Sequence, residues 1–372
     1  MQLHAAVSEA PSNPSRSDRR WVRHALELLE AEAGRSGWTP LLPFRVKGLE
    51  GVDLYLKDES LHPTGSLKHR LARSLFMHGL CNGDIRRGTT IIEASSGSTA
   101  VSEAYFAQIL DLPFVAVLPR ATSPEKIALI RRFGGGVHVV DDPTEVVGTA
   151  QGLAEGGDGY FMDQFTYASQ ATDWRRDNIA SELFGQMSRE RHPIPDWVVV
   201  GAGTGGTSTC IARHARYQGI GSNIAVVDPE GSAFYEGWRR KDTGFVTCTP
   251  SRIEGIGRTR VEPSFVPNLI DEMIQVADGA SVAAMRWASD LLGRRVGPST
   301  GTNLWGALQL AVRMSASSRQ GSIVTLICDT GDRYASTYYD DDWVTGRGID
   351  PAPWVKTLDR FRLGGAPAAP AA

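Results

Sequence analysis

Cysteine is scarce in this chain of 372 residues: Cys81, Cys210, Cys248 and Cys328 stand far apart, with no CxxC pair among them. That excludes a disulfide framework and a zinc ribbon, and buried free thiols are expected instead. The eight histidines include no HxxxH spacing, and no carboxylate pair presents a competing centre, so no metal site is expected. Neither charge dominates, with 39 basic residues against 42 acidic ones and a net charge of -3, which argues against nucleic acid or an acidic membrane as partner. No run approaches the roughly 18 apolar residues of a membrane span, and the start MQLHAAVSEAPSNPSRSDRRW lacks the apolar middle of a secretory signal. A cytoplasmic protein is expected. Lysine is also rare, since only six of the 39 basic residues are Lys (47, 57, 68, 126, 241 and 356), so lysine chemistry has few candidates.

What is present is an ordinary apolar fraction, 41%, over a length suited to roughly two domains. Short β-branched runs alternate with amphipathic segments: strands are expected at Thr89 to Glu93, Pro113 to Leu118, Val137 to Asp141, Trp197 to Val200, Ile224 to Asp228 and Ile323 to Cys328. Ser123-Pro124-Glu125 reads as a helix start and the glycines at 134 to 136 as its stop. Such alternation predicts an α/β fold of two domains with mostly parallel sheets, whose ligands bind in loops beyond the carboxyl ends of strands. The Ser-, Pro- and Arg-rich start and the end GGAPAAPAA read as disordered.

Three loops can carry chemistry. In PTGSLKHR, Ser66 is the expected N-cap of a helix with apolar Leu67, Leu71 and Leu75, which puts Lys68 in the first turn. There the helix dipole disfavours an ammonium and favours the neutral amine that forms Schiff bases; taken alone, a surface lysine at a helix start is the commoner case. Ser95-Ser96-Gly97-Ser98-Thr99 joins a strand to a helix N-terminus and offers hydroxyls and N–H groups to an anion such as a carboxylate, or simply caps the helix. Gly201 to Thr207, GAGTGGT, is a phosphate cradle between a strand and a helix. It fits GxGxxG as well, and a dinucleotide would then place its ribose on Asp228. The hydroxyls of Thr204 and Thr207 suit a compact phosphate monoester better than a pyrophosphate.

The order PTGSLKHR, EASSGSTA, Gln164-Phe165, GAGTGGT, RIEGIGR, GPSTG, DTGDRY resembles the cysteine synthase and cystathionine β-synthase family of fold-type-II pyridoxal-phosphate enzymes, over about Leu54 to Tyr338. Within it, the segments KHRLARSLF and GPSTGTNLWGA are similar to a bacterial branch of stand-alone L-cysteine desulfhydrases. The resemblance implies pyridoxal 5'-phosphate held covalently by Lys68, its phosphate by Gly203, Thr204, Gly205, Gly206 and Thr207, and its pyridine nitrogen by Ser299. It implies a substrate carboxylate bound by Ser95, Ser96, Thr99 and Gln164, with Gly255 facing the amino group. Ser98 falls among the cofactor-binding positions, where the family usually has Asn against the phenolic oxygen; His69 replaces a common Asp.

The activity implied is α,β-elimination of L-cysteine to hydrogen sulfide, pyruvate and ammonia through an aminoacrylate. The alternative is β-replacement of the cysteine synthase type, from O-acetylserine or cysteine plus a nucleophile. A non-catalytic metabolite sensor is disfavoured by the intact lysine and phosphate loop. The resemblance further implies a homodimer, a leader over 1–35, a small mobile domain over 36–168, a larger phosphate-binding domain over 169–345 and a tail over 346–372.

Overall fold

The computed structural model describes residues 16–36 and 38–363. Ten strands form two sheets: β1 (Leu41–Pro43), β2 (Val52–Asp58), β3 (Thr90–Ala94), β4 (Phe114–Pro119), β5 (Gly136–Val140), β6 (Gly159–Phe161), β7 (Trp197–Gly201), β8 (Asn223–Pro229), β9 (Glu272–Val276) and β10 (Gly321–Ile327). The larger sheet has the order β1-β2-β10-β7-β8-β9 and the smaller β5-β4-β3-β6. Every pair is parallel except β1 with β2. All six expected strands are present, shifted by at most two residues at an end.

Both sheets are covered on both faces, which is why their strands read as apolar runs rather than alternations. In the larger sheet Leu54, Leu56, Val199, Val227 and Ile323 pack into one core, while Tyr55, Val198, Val200, Val226 and Val324 pack into another on the opposite face. The smaller sheet divides likewise, Ile91, Phe114, Ala116 and Leu118 against Ile92, Val117 and Val140. Each such fully buried side chain contributes ~2 kcal/mol over its exposed state.

The segment from 41 to 58, expected in the smaller domain, belongs to the larger sheet: β2 pairs in parallel with β10 from Val52↔Gly321 to Asp58↔Ile327. Among the described residues the strands therefore begin in the larger sheet, cross to the smaller one and return. The expected leader is in part a docked element, because the helix Arg16–Ser36 buries Ala25, Leu29 and Glu32; the first 15 positions lie outside the described residues. The expected tail likewise carries the helix Ala352–Leu363, whose Leu358 and Phe361 are buried, and GGAPAAPAA lies outside the described residues.

Candidate active site

The lysine segment is pinned to the residues that follow β10. Leu67 N–H donates to Cys328 O at 2.8 Å and Thr330 N–H to Gly65 O at 3.0 Å. The helix runs Lys68–Asn82, one residue later than expected, with Leu67 in the cap position; Ser66 Oγ still accepts the Lys68 N–H at 3.3 Å. Burial pushes the Lys68 ammonium below its ordinary pKa, a shift that Cys328 and Asp329 partly oppose. Lys57 is buried too, but its ammonium is committed to Thr39 O, Gln186 Oε1 and Glu182 Oε2 at 2.6, 2.9 and 3.1 Å. A lysine whose charge is suppressed without such commitments is the better nucleophile and base.

The glycine loop leaves β7 and enters the helix Gly206–Gln218. Gly205 has φ +84°, and a Cβ there would lie 2.5 Å from Phe265 Cα. A Cβ on Gly203 would lie 2.5 Å from the Gly255 carbonyl oxygen. Only bare backbone fits, and the first-turn N–H groups beyond Gly206, which have no partner within the helix, can face an anion. Thr204 Oγ1 accepts the Gly206 N–H at 3.1 Å, and its own proton remains free to donate.

The hydroxyl loop leaves β3 and enters the helix Ser98–Ile109, with Gly97 at the cap. Thr99 Oγ1 donates to Gln164 Oε1 at 2.7 Å, joining this helix to the one that begins at Gln164. Ser95 Oγ accepts the Gly97 N–H at 3.2 Å. Hydroxyl and N–H donors thus converge at one helix N-terminus, an arrangement suited to a carboxylate.

All three loops face one cavity of about 540 Å³ between the sheets. It is lined by Lys68, by Ser95, Ser96, Ser98 and Thr99, and by Gln164. Gly203, Thr204, Gly205 and Thr207 line it too, with Gly255 and Ser299. Gly206 does not line it; it packs behind, a Cβ there meeting Ala168 Cβ at 2.9 Å. Asp228, the residue a dinucleotide would require, is also elsewhere: fully buried, it accepts the Tyr235 N–H at 2.8 Å, and burial pushes its carboxyl up to about 7.

Four lining residues were not singled out from the sequence. Arg333 Nη1 donates to Ser98 Oγ at 2.7 Å, so a guanidinium stands beside the position where the resemblance expects an amide. Tyr334 Oη donates to the buried Asp329 at 2.6 Å. Lys126 and Glu254 form a 2.8 Å ion pair between the helix Pro124–Arg132 and the segment that follows the helix Phe234–Arg240. The motif DTGDRY held the only available signal for the first two, without a role attached.

These residues fit pyridoxal phosphate: a cradle that a Cβ would fill for its phosphate, a charge-suppressed lysine for its aldehyde carbon, and a buried hydroxyl, Ser299, lining the same cavity. Residues 33–329 match the family model described as "Pyridoxal-phosphate dependent enzyme". The chain is 55% identical over 348 residues to the L-cysteine desulfhydrase Cds1 of Mycobacterium tuberculosis, covering 92% of this chain and 95% of that one. It is 30% identical over 320 residues to an N-(2-amino-2-carboxyethyl)-L-glutamate synthase of Ralstonia nicotianae, covering 83% and 89%. Among solved structures it is similar to a hydrogen sulfide-producing enzyme, a mutant complexed with an α-aminoacrylate intermediate, at TM-score 0.73 and 26% identity, covering 84% of this chain and 91% of the other. Because the matched span includes the lysine helix, the hydroxyl loop, the glycine cradle and every strand, this chain belongs to the family of pyridoxal-phosphate dependent enzymes.

Proposed function

We propose that this enzyme is an L-cysteine desulfhydrase, releasing hydrogen sulfide, pyruvate and ammonia from L-cysteine and water. The observation that carries the reading is a single cavity shared by Lys68, the glycine cradle and the Thr99–Gln164 pair, in a chain 55% identical to a desulfhydrase. Lys68 is proposed to hold the cofactor, Gly203, Thr204, Gly205 and Thr207 its phosphate, and Ser98 and Ser299 the edge of its ring. The cofactor, when bound, draws electrons from the substrate's Cα.

The remaining steps belong to side chains. The N-terminus formed by Ser95, Ser96 and Thr99, with Gln164, takes the substrate carboxylate and so fixes the amino acid's orientation. Gly255, which lines the same cavity, is proposed to place its backbone close to the amino group. Lys68, released as a neutral amine in a site that disfavours its charge, accepts the Cα proton. The Cβ–S bond then breaks with its electron pair on sulfur, which leaves as hydrosulfide and takes up a proton. The three-carbon fragment takes up water and loses ammonia to give pyruvate. Ser299 is a neutral partner and does not hold a proton on the ring, which favours early loss of the β-substituent over prolonged carbanion character at Cα. The smaller α/β layer is proposed to close over the carboxylate, and the homodimer and cytoplasmic location implied by the family resemblance are part of the same proposal.

L-cysteine given to the purified holoenzyme without any second nucleophile is expected to yield sulfide and pyruvate in equal amounts. Cysteine that is consumed only when a second nucleophile is supplied, with no pyruvate, would replace elimination by β-replacement.

A further inference from the structure

Beneath the hydroxyl loop lie two carboxyl groups that the reaction does not use. Glu93, the penultimate residue of β3, and Glu103, one turn past Thr99 in the helix Ser98–Ile109, are both fully buried. Glu93 has two donors, the Ala94 N–H on Oε1 at 2.7 Å and the Gln164 N–H on Oε2 at 3.3 Å. It therefore ties the residue before Ser95 to the residue whose side chain receives the Thr99 hydroxyl. Glu103 has neither: among the described residues no group donates to its Oε1 or Oε2, both shielded from solvent.

An ionised carboxylate without donors cannot persist in such a place. A protonated one brings its own O–H, and the acceptor that faces Glu103 is Glu93. The other groups around the pair are acidic or weakly acidic: Asp163, which opens the helix at Gln164, and the Tyr160 phenol on β6, with Asp84 and Tyr167 behind it. No ion pair joins either glutamate to a cation among the described residues, so nothing nearby offsets a second negative charge.

We propose that Glu103 is a positioning residue that donates its carboxyl proton to Glu93, and that the pair, holding one negative charge between them, fixes Ala94 and Gln164 so that Ser95 and Thr99 meet the substrate carboxylate. This rests on the reading of that loop as the carboxylate site. Burial raises both carboxyls above the ordinary range, Glu103 further because of the negative charge on Glu93. Groups raised in this way are both neutral at low pH; the singly charged clamp forms as the first carboxyl ionises and fails as the shared proton is lost on the alkaline side. Two charges would then sit under a loop that must itself accept an anion, and affinity for the amino acid would fall.

The test uses L-alanine, which has the carboxylate and amine but no leaving group. Its Kd is read from the visible absorption change of the holoenzyme between about pH 6 and about pH 10, for wild type, Glu103→Gln, Glu103→Leu and Thr99→Ala. Ratios to wild type cancel the titration of alanine itself. Glu103→Gln keeps a donor to Glu93 but cannot ionise; its Kd is expected within about twofold of wild type near neutrality and below wild type at the alkaline end. Glu103→Leu removes the donor, and its Kd is expected to be raised about tenfold at neutral pH. An alkaline profile of Glu103→Gln that follows wild type overturns the proposal, and this variant decides alone if Glu103→Leu does not fold. Weak binding by Thr99→Ala with unchanged Glu103 variants overturns the pair only; unchanged binding by Thr99→Ala overturns the carboxylate site as well. Neither result depends on whether sulfide is released.

Discussion

Lys68 and Thr99 carry the account at the scale of single residues. Lys68→Ala removes the proposed cofactor anchor and proton acceptor together, and is expected to abolish turnover and the visible absorbance of the holoenzyme while far-UV circular dichroism stays unchanged. Thr99→Ala removes one hydroxyl from the proposed carboxylate loop and the Gln164 contact at 2.7 Å; KM for L-cysteine is expected to rise about tenfold with kcat little changed, in steady-state assays of sulfide. Lys68 was legible in the sequence because lysines are few and one of them opens a helix beside glycine and serine. Arg333 was not, since its guanidinium reaches Ser98 across 235 positions and no local pattern encodes that contact. His69 had no derivable role either. Its Nε2 meets Glu32 Oε1 of the docked N-terminal helix at 3.0 Å, and its Nδ1 meets Thr64 Oγ1 at 3.3 Å.

The elements that hold these residues fail in characteristic ways. Gly205→Ala puts a Cβ 2.5 Å from Phe265 Cα at a φ of +84°, and is expected to cost about 3 kcal/mol or more of stability, read by thermal melting, with cofactor affinity falling alongside. The N-terminal helix depends on the Glu32–His69 contact. Burial would raise Glu32, but the hydrogen bond from His69 holds its carboxyl below the ordinary range; burial also holds His69 below its own. Groups depressed on folding stabilise the fold above their unfolded pKa values and withdraw that support as pH falls. The melting temperature is therefore expected to drop below about pH 6, and His69→Ala, which leaves Glu32 buried without this partner, to cost about 2 kcal/mol at neutral pH. Strands and the glycine loop were readable from apolar runs and turn chemistry. The helix Arg16–Ser36 was missed although Trp21, Val22, Ala25, Leu26 and Leu29 recur at helical spacing; what local sequence does not encode is the distant partner surface that buries Ala25 and Leu29.

At the scale of the molecule, the site lies between two sheets, with parts of each lining the cavity. That the larger sheet begins before the smaller one could not be read locally: β2 finds its parallel neighbour β10 more than 250 residues later, across the whole intervening layer. Lys126 and Glu254 bridge the two layers at the cavity. Both are partly solvent-exposed, so the pair contributes ~0.5 kcal/mol or less to stability and acts on the relative position of the layers instead. Lys126→Ala is expected to leave the melting temperature nearly unchanged and to raise KM about twofold at low ionic strength, a difference that vanishes near 1 M salt, where wild type loses the same attraction. The most direct measurement is the identity of the lysine that carries the cofactor. Borohydride reduction of the holoenzyme followed by peptide mass analysis is expected to find the pyridoxyl group on the peptide containing Lys68. A label on Lys57 or Lys126, or on no lysine, would contradict the account.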